Sequence, residues 1–235
     1  MSRFHQQPVV ITGADRPGQV GAYLARRFAE EGAPVVLLAR DAAAVEARAA
    51  ELRHDGHHAI AHACDLSDPA AVVAVAARVS EGTAGRVAAL VNAAGGFTAD
   101  GPIADADPGI LARMLAANLA TAYHTTRAFL PLLRSARGAV VYVASAAAMP
   151  GADGAGMAAY AAAKSGVLAV MRAVAAEEAP YGVRANALAP TAIRTAANVA
   201  SSGESASYVE LHTVAEVVLW LCAQQGVTGQ VVKLG

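Results

Sequence analysis

The sequence predicts a doubly wound α/β fold, a parallel seven-stranded sheet with helices on both faces. Three observations predict it. Short β-branched runs alternate with longer Ala-rich segments of helical period. The runs are apolar throughout, as strands covered on both sides must be. The first run ends in a glycine-rich turn that opens a helix.

In chain order, strands are expected at 9–12, 34–39, 59–64, 87–91, 139–144, 183–188 and 230–234. Helical periodicity falls between them at 19–31, 42–54, 69–79, 110–133, 158–178 and 214–224. Asp41 is the expected N-cap of the second helix, and Asp105 and Asp107 are expected to begin the fourth. The Gly-containing stretches 150–156 and 200–207 interrupt the rhythm as loops. With right-handed crossovers, this alternation is a Rossmann-type domain. No Pro/Ser-rich linker, charge block or internal repeat divides the chain, so residues 1–235 are expected to form one domain carrying both nucleotide site and chemistry.

Composition narrows the function. Hydrophobic residues make up 55% and aromatics 5%, so Ala and Val fill the interior. A formal net charge of −1 offers nucleic acid no basic field and a cationic partner no acidic block. No uncharged apolar run approaches the roughly 18–20 residues of a membrane span, and residues 1–8 lack the plan of a secretory signal. The two cysteines, Cys64 and Cys222, lie in apolar stretches and read as buried free thiols of a reducing, cytoplasmic setting. His54, His57, His58, His62 and Cys64 cluster where a helix hands over to the third strand. They lack zinc-ligand spacing, so no metal site is expected. His124 reads as a packing or interface residue of the long fourth helix.

The turn after the first strand, Thr12-Gly13-Ala14-Asp15-Arg16-Pro17-Gly18-Gln19-Val20-Gly21, is where a pyrophosphate would meet a helix N-terminus. A carboxylate at the end of the second strand would favour a free ribose hydroxyl; here Ala39 and Arg40 stand there. Arg40, with Arg16, would pair with a 2′-phosphate, favouring NADP(H) and leaving NAD(H) possible.

Tyr160 and Lys164, at i and i+4, share a helix face. A free phenol titrates near 10, and a neighbouring cation is expected to lower that value toward general-base chemistry. The strand before this helix ends in Ser145.

On these residues the chain resembles the short-chain dehydrogenase/reductase family over essentially its whole length. The matching features are Thr12-Gly13 with its glycines, Asp65, Asn92-Ala93-Ala94-Gly95, Asn118, and Ser145 with Tyr160/Lys164. The resemblance implies that Tyr160 exchanges a proton with the substrate oxygen and Lys164 binds the nicotinamide ribose and depresses the phenol pKa. It makes Ser145 the residue that holds the carbonyl oxygen. Asn118 would keep a helix locally open and hold a relay water. Gly13, Asp15, Arg16, Gly18, Val20 and Gly21 would form the phosphate turn, and Asp65 and Leu66 would meet the adenine. Asn92, Ala93 and Gly95 would shape the cofactor floor, and Pro190, Ile193 and Thr195 would contact the carboxamide. Substrates would be small ketones, aldehydes or acyl-type carbonyls, or the matching alcohols, and the assembly a dimer or tetramer through 110–133 and 158–178.

Some positions depart from the pattern. Gly13, Gly18 and Gly21 leave four and two residues between them, longer than the usual three and one. Ser145 stands fifteen positions before Tyr160, and Pro190 is followed by Thr191 in place of Gly. Asn92 to Phe97, Gly156-Met157 and the short tail are similar to the dihydropteridine reductase branch, which implies pterin reduction with NADH as an alternative; Ser145 and Arg40 argue against it. The enlarged turn motivates a reading of another class, a nucleotide-binding scaffold or sensor.

Overall fold

The computed structural model describes residues 4–204 and 206–235. The reading of the first eight residues as lacking a signal therefore falls partly outside the described residues, as does position 205 of the 200–207 stretch.

All seven expected strands form: β1 (Val9–Thr12), β2 (Val35–Ala39), β3 (Ala59–Ala63), β4 (Ala89–Asn92), β5 (Ala139–Val143), β6 (Arg184–Pro190) and β7 (Val231–Leu234). They make one sheet in the order β3-β2-β1-β4-β5-β6-β7, with every pairing parallel. Alternation along each strand sorts side chains to two cores. Val9 and Ile11 face one core and Val10 the other; Val141 and Tyr142 part the same way on β5. α1 (Val20–Glu30), α2 (Ala42–His54) and α8 (Leu211–Ala223) cover the first face, and α3 (Pro69–Gly82), α5 (Thr121–Ala136) and α6 (Ala158–Glu177) the second. Chain order reverses beside β1, where one crossover runs outward to β2 and the other to β4. The strands' C-terminal ends therefore open a crevice there.

Local chemistry explains the elements. Asp41 caps α2 by accepting from the Ala44 N–H (3.0 Å), as expected, and Asp68 caps α3 before Pro69. Pro69 at the first turn loses no hydrogen bond, because that N–H has no helical partner. α6 is long and apolar enough to cross a membrane by length and hydropathy. Instead it lays Val167, Leu168 and Met171 against the sheet, each fully buried, a contribution of roughly 1.5–3 kcal/mol per side chain.

The structure differs from the sequence pattern in two places. The expected helix at 110–133 is three consecutive pieces: α4 (Ile110–Met114), a π-helical segment (Leu115–Ala120) and α5, which continues past Pro131 to Ala136. A further helix, α7 (Ala196–Ser202), occupies much of the segment before α8 and overlaps the start of the expected 200–207 loop. Its start is set by Thr195, whose hydroxyl accepts from the Asn198 N–H (3.2 Å). At the fourth helix, Asp107 accepts from the Gly109 N–H (2.9 Å), while Asp105 closes a short 3₁₀ turn.

Candidate active site

The crevice at the C-terminal ends of the strands is a cleft of about 640 Å³. Thr12 frames it from below. Its hydroxyl accepts from the N–H groups of Ala93 (3.0 Å) and Ala94 (2.9 Å), tying the end of β1 to the exit of β4. That closeness demands glycine at two positions. Gly13 has φ +69°, and a Cβ there would stand 2.8 Å from the Ala94 Cα; a Cβ at Gly21 would stand 2.2 Å from the Gly13 carbonyl oxygen. Gln19 supplies no side-chain cap to α1, so the helix N-terminus presents its N–H groups beside Asp15, Arg16 and Val20 on the cleft wall.

Arg16 and Arg40 both line the cleft as exposed side chains, and neither makes a hydrogen bond or close ion pair among the described residues. The acids near Arg40 are otherwise engaged. Asp41 caps α2, while the Ser67 hydroxyl and N–H bond the Asp65 carboxylate and hold it below its usual pKa, with a smaller push from Arg40. Leu66 is buried beside them.

The chemical end is built on α6 and the exit of β5. Tyr160 and Lys164 share one face, with the Lys164 ammonium 5.8 Å from the phenol ring centre. Lys164 is only 6% exposed and donates to the Val143 carbonyl (2.7 Å) at the end of β5. Two positions on, Ser145 is buried, accepts from the Ala147 N–H (3.2 Å), and lines the same cleft wall as Tyr160. Burial pushes Lys164 down to about 8 and raises the Tyr160 phenol, the Ser145 contact working the other way. The expected lowering by the neighbouring cation is not what sets the phenol here: loss of solvation is the largest cause, with Ser145 the one opposing it.

Asn118 lies at the heart of the π-helical segment, 1% exposed. Its amide donates to the carbonyls of Met114 (3.1 Å) and Gly96 (3.0 Å), and its oxygen accepts from the Gly96 N–H (3.2 Å). The side chain thus holds a widened turn open and staples it to the loop after β4. A Cβ at Gly95 would stand 2.5 Å from the Asn118 oxygen and 3.4 Å from the Lys164 nitrogen, so glycine lets both reach the cleft. Pro190, Ile193 and Thr195 form the facing wall with Asn198, whose amide donates to the Ile193 carbonyl (2.8 Å).

Two predicted residues are not brought onto the wall. Asn92 is buried and donates to Thr126 (3.1 Å), bracing the end of β4 against α5. Gly18 has φ +68° and points its carbonyl at the Ala196 N–H (3.4 Å), so the enlarged turn leans on α7. Two other residues carry no local signal in the sequence. Asp100 accepts from the Ala159 N–H (3.0 Å), capping α6 from 59 residues away. Phe97 sets its ring edge-on to Tyr160, centres 5.0 Å apart, and stays 57% exposed at the mouth. Among the described residues no His, Cys, Asp and Glu side chains gather as a metal-binding set. Both cysteines are free and buried.

Residues 7–205 match the family described as short chain dehydrogenase. The chain belongs to that family. This short-chain dehydrogenase is 36% identical over 189 residues to a hydroxy-methyl-oxo-hexahydroindene-carboxyl-CoA reductase of Mycobacterium tuberculosis, covering 79% of this chain and 70% of that protein. It is 34% identical to galactitol 2-dehydrogenase of Rhizobium johnstonii, covering 82% and 74%. Among solved structures it superposes on NAD+-bound xylitol dehydrogenase with a TM-score of 0.88 at 26% identity, covering 98% of each chain. The short-chain dehydrogenase is therefore an oxidoreductase acting on an alcohol or carbonyl carbon with a nicotinamide cofactor.

The cleft fits such a dinucleotide. Its glycines bring backbone close at the turn, α1 presents uncapped N–H groups, Arg16 and Arg40 offer guanidinium groups without a carboxylate partner among the described residues, and Lys164 spends one of its three N–H groups on Val143.

Proposed function

We propose that this short-chain dehydrogenase is an NADP(H)-dependent reductase of small carbonyl compounds, working reversibly, with Tyr160 as general acid and base. The observation that carries this reading is the partly buried phenol of Tyr160 on the cleft wall, beside Ser145 and with the Lys164 ammonium 5.8 Å from its ring centre.

The nicotinamide cofactor, when bound, supplies hydride to the carbonyl carbon or takes it from the alcohol carbon. Ser145 donates its hydroxyl hydrogen to the carbonyl oxygen and so fixes the carbon's position. Tyr160, kept protonated at neutral pH by burial, gives its Oη proton to that oxygen as the alcohol forms; in the reverse direction the phenolate takes it back. Lys164 is anchored through Val143, and its remaining N–H groups would hold the nicotinamide ribose. Asn118 keeps the loop of Gly95 and Gly96 at the spacing this requires. Ser145 on the same cleft wall as the phenol supports a carbonyl substrate over a pterin. Arg16 and Arg40 support the 2′-phosphate of NADP(H), while the NAD+-bound neighbour makes NAD(H) the competing cofactor. The buried free thiols support a reducing, cytoplasmic setting.

NADPH and NADH oxidation measured against a panel of ketones, aldehydes and quinonoid pterin tests this reading. NADPH should be preferred, and Arg40→Asp should shift the preference toward NADH. Tyr160→Phe should lower kcat by about 10²–10⁴-fold while leaving cofactor affinity nearly unchanged. Retained turnover in that variant overturns the role of Tyr160, and an unchanged cofactor ratio in Arg40→Asp overturns that of Arg40.

A further inference from the structure

A second cavity, of about 390 Å³, lies at the opposite end of the sheet. Pro8, Ala88, Gly138 and Arg184, which line it, stand at the N-terminal starts of β1, β4, β5 and β6, and it shares no lining residue with the catalytic cleft. Three arginines face it, Arg86, Arg137 and Arg184, and no Asp or Glu lines it among the described residues.

Arg184 is the unusual member. It is 6% exposed, yet among the described residues no carboxylate pairs with it. Its terminal nitrogens donate to the carbonyls of Leu221 (2.9 Å) and Cys222 (2.7 Å) in the last turn of α8, and its Nε has no partner. A buried cation is ordinarily matched by an acid; here only the negative end of a helix faces it. Burial accordingly pushes its pKa below the ordinary guanidinium value.

Arg137 breaks a second rule. It sits just past the end of α5 with φ +50°, a left-handed position where glycine is the usual residue. Its stem packs over Gly182, and its guanidinium makes no hydrogen bond or ion pair among the described residues. Gln6, also on the cavity wall, has φ +57°, so two of the three non-glycine residues in this region of backbone space among the described residues border one cavity. Left-handed backbone beside cations that lack an acid among the described residues is the ground for a functional reading of this cavity.

We infer that this cavity binds a small molecule carrying a phosphate or carboxylate group, the oxyanion resting among Arg86, Arg137 and Arg184. The volume exceeds what a lone inorganic anion fills, and the amides of Gln6 and Gln225 on the wall suit hydroxyl groups on the ligand's body. The inference does not depend on the reaction run in the other cleft.

Calorimetric titration of the full chain with pyrophosphate, ribose 5-phosphate and citrate, each against sodium chloride of matched ionic strength, tests it. Two double variants separate the sites. Arg86→Ala/Arg137→Gly removes two cavity cations while relieving the backbone at 137. Arg16→Ala/Arg40→Ala removes the cations of the cleft. At least one probe should bind saturably, lose about tenfold or more in affinity in the first variant, and change less in the second. The phosphate probes and citrate then tell which oxyanion the cavity takes. Equal losses in both variants, a loss confined to Arg16→Ala/Arg40→Ala, or no saturable binding of any probe overturns the inference.

Discussion

Tyr160 and Lys164 are moved in opposite directions by one cause. Desolvation favours the neutral form of each, raising the phenol and bringing the ammonium down to about 8. The phenol therefore holds its proton across the neutral range, while Lys164 in the free enzyme loses its charge above about pH 8. We expect kcat/KM for carbonyl reduction to be level below that value and to fall above it in a pH–rate profile; a profile level to pH 9.5 contradicts this. Stability carries the same signature with a definite sign. The folded-state value of Lys164 lies below the ordinary 10.5, so between about 8 and 10.5 this residue binds more protons in the unfolded chain and its own contribution to stability rises with pH. The buried thiols, Cys222 pushed up to about 12 and Cys64 raised, slope the other way in the same window, so the Lys164 contribution is read as a difference: in urea unfolding, stability of Lys164→Met relative to the unmodified protein should fall as pH rises from about 8 to 10.5. The pair itself is legible in the sequence, because four residues on a helix set two side chains on one face. The direction of the phenol's shift is not legible, because it depends on what the rest of the fold excludes from around it.

At the scale of elements, the site depends on how α6 begins. Its own first residues supply no cap, and Asp100, itself anchored through its N–H to the Gly156 carbonyl (2.9 Å), bonds the Ala159 N–H instead. Asp100→Ala should cost about 1 kcal/mol of stability and lower kcat by disturbing the turn that carries Tyr160. Asp100→Asn should restore much of both, measured by urea denaturation and steady-state rates. Such a cap joins positions 59 apart and leaves no trace in local spacing. The π-helical segment hides from periodicity for the same reason: its apolar pattern reads as one helix, and the extra residue is accommodated by Asn118 bonding Gly96, 22 positions away, so that only the family resemblance at Asn118 implied an opened turn. α7 escapes notice because seven residues bounded by Thr195 and Gly203 look like a loop until the Thr195 cap is seen. Strands and the other helices are legible because burial on both sheet faces writes itself into runs of Val, Ile, Leu and Ala.

Across the whole molecule, the rod formed by α4, the π-helical segment and α5 carries exposed apolar side chains, Leu111 at 49% and Tyr123 at 51%. Pairing of copies through this rod and α6 would cover them. We expect light scattering to give a mass two or four times 23.6 kDa, and Tyr123→Glu to shift it downward; a single-chain mass for the unmodified protein contradicts this. Topology also constrains how the enlarged turn can vary. With 2.2 Å between the Gly13 oxygen and any methyl placed at Gly21, that junction is closed to every side chain. The surplus length has only one direction to go, outward to where the Gly18 carbonyl meets the Ala196 N–H. Insertions or deletions between 13 and 18 would thus be felt first by α7, on the wall opposite Tyr160, making the loop's length a setting for the width of the substrate's doorway.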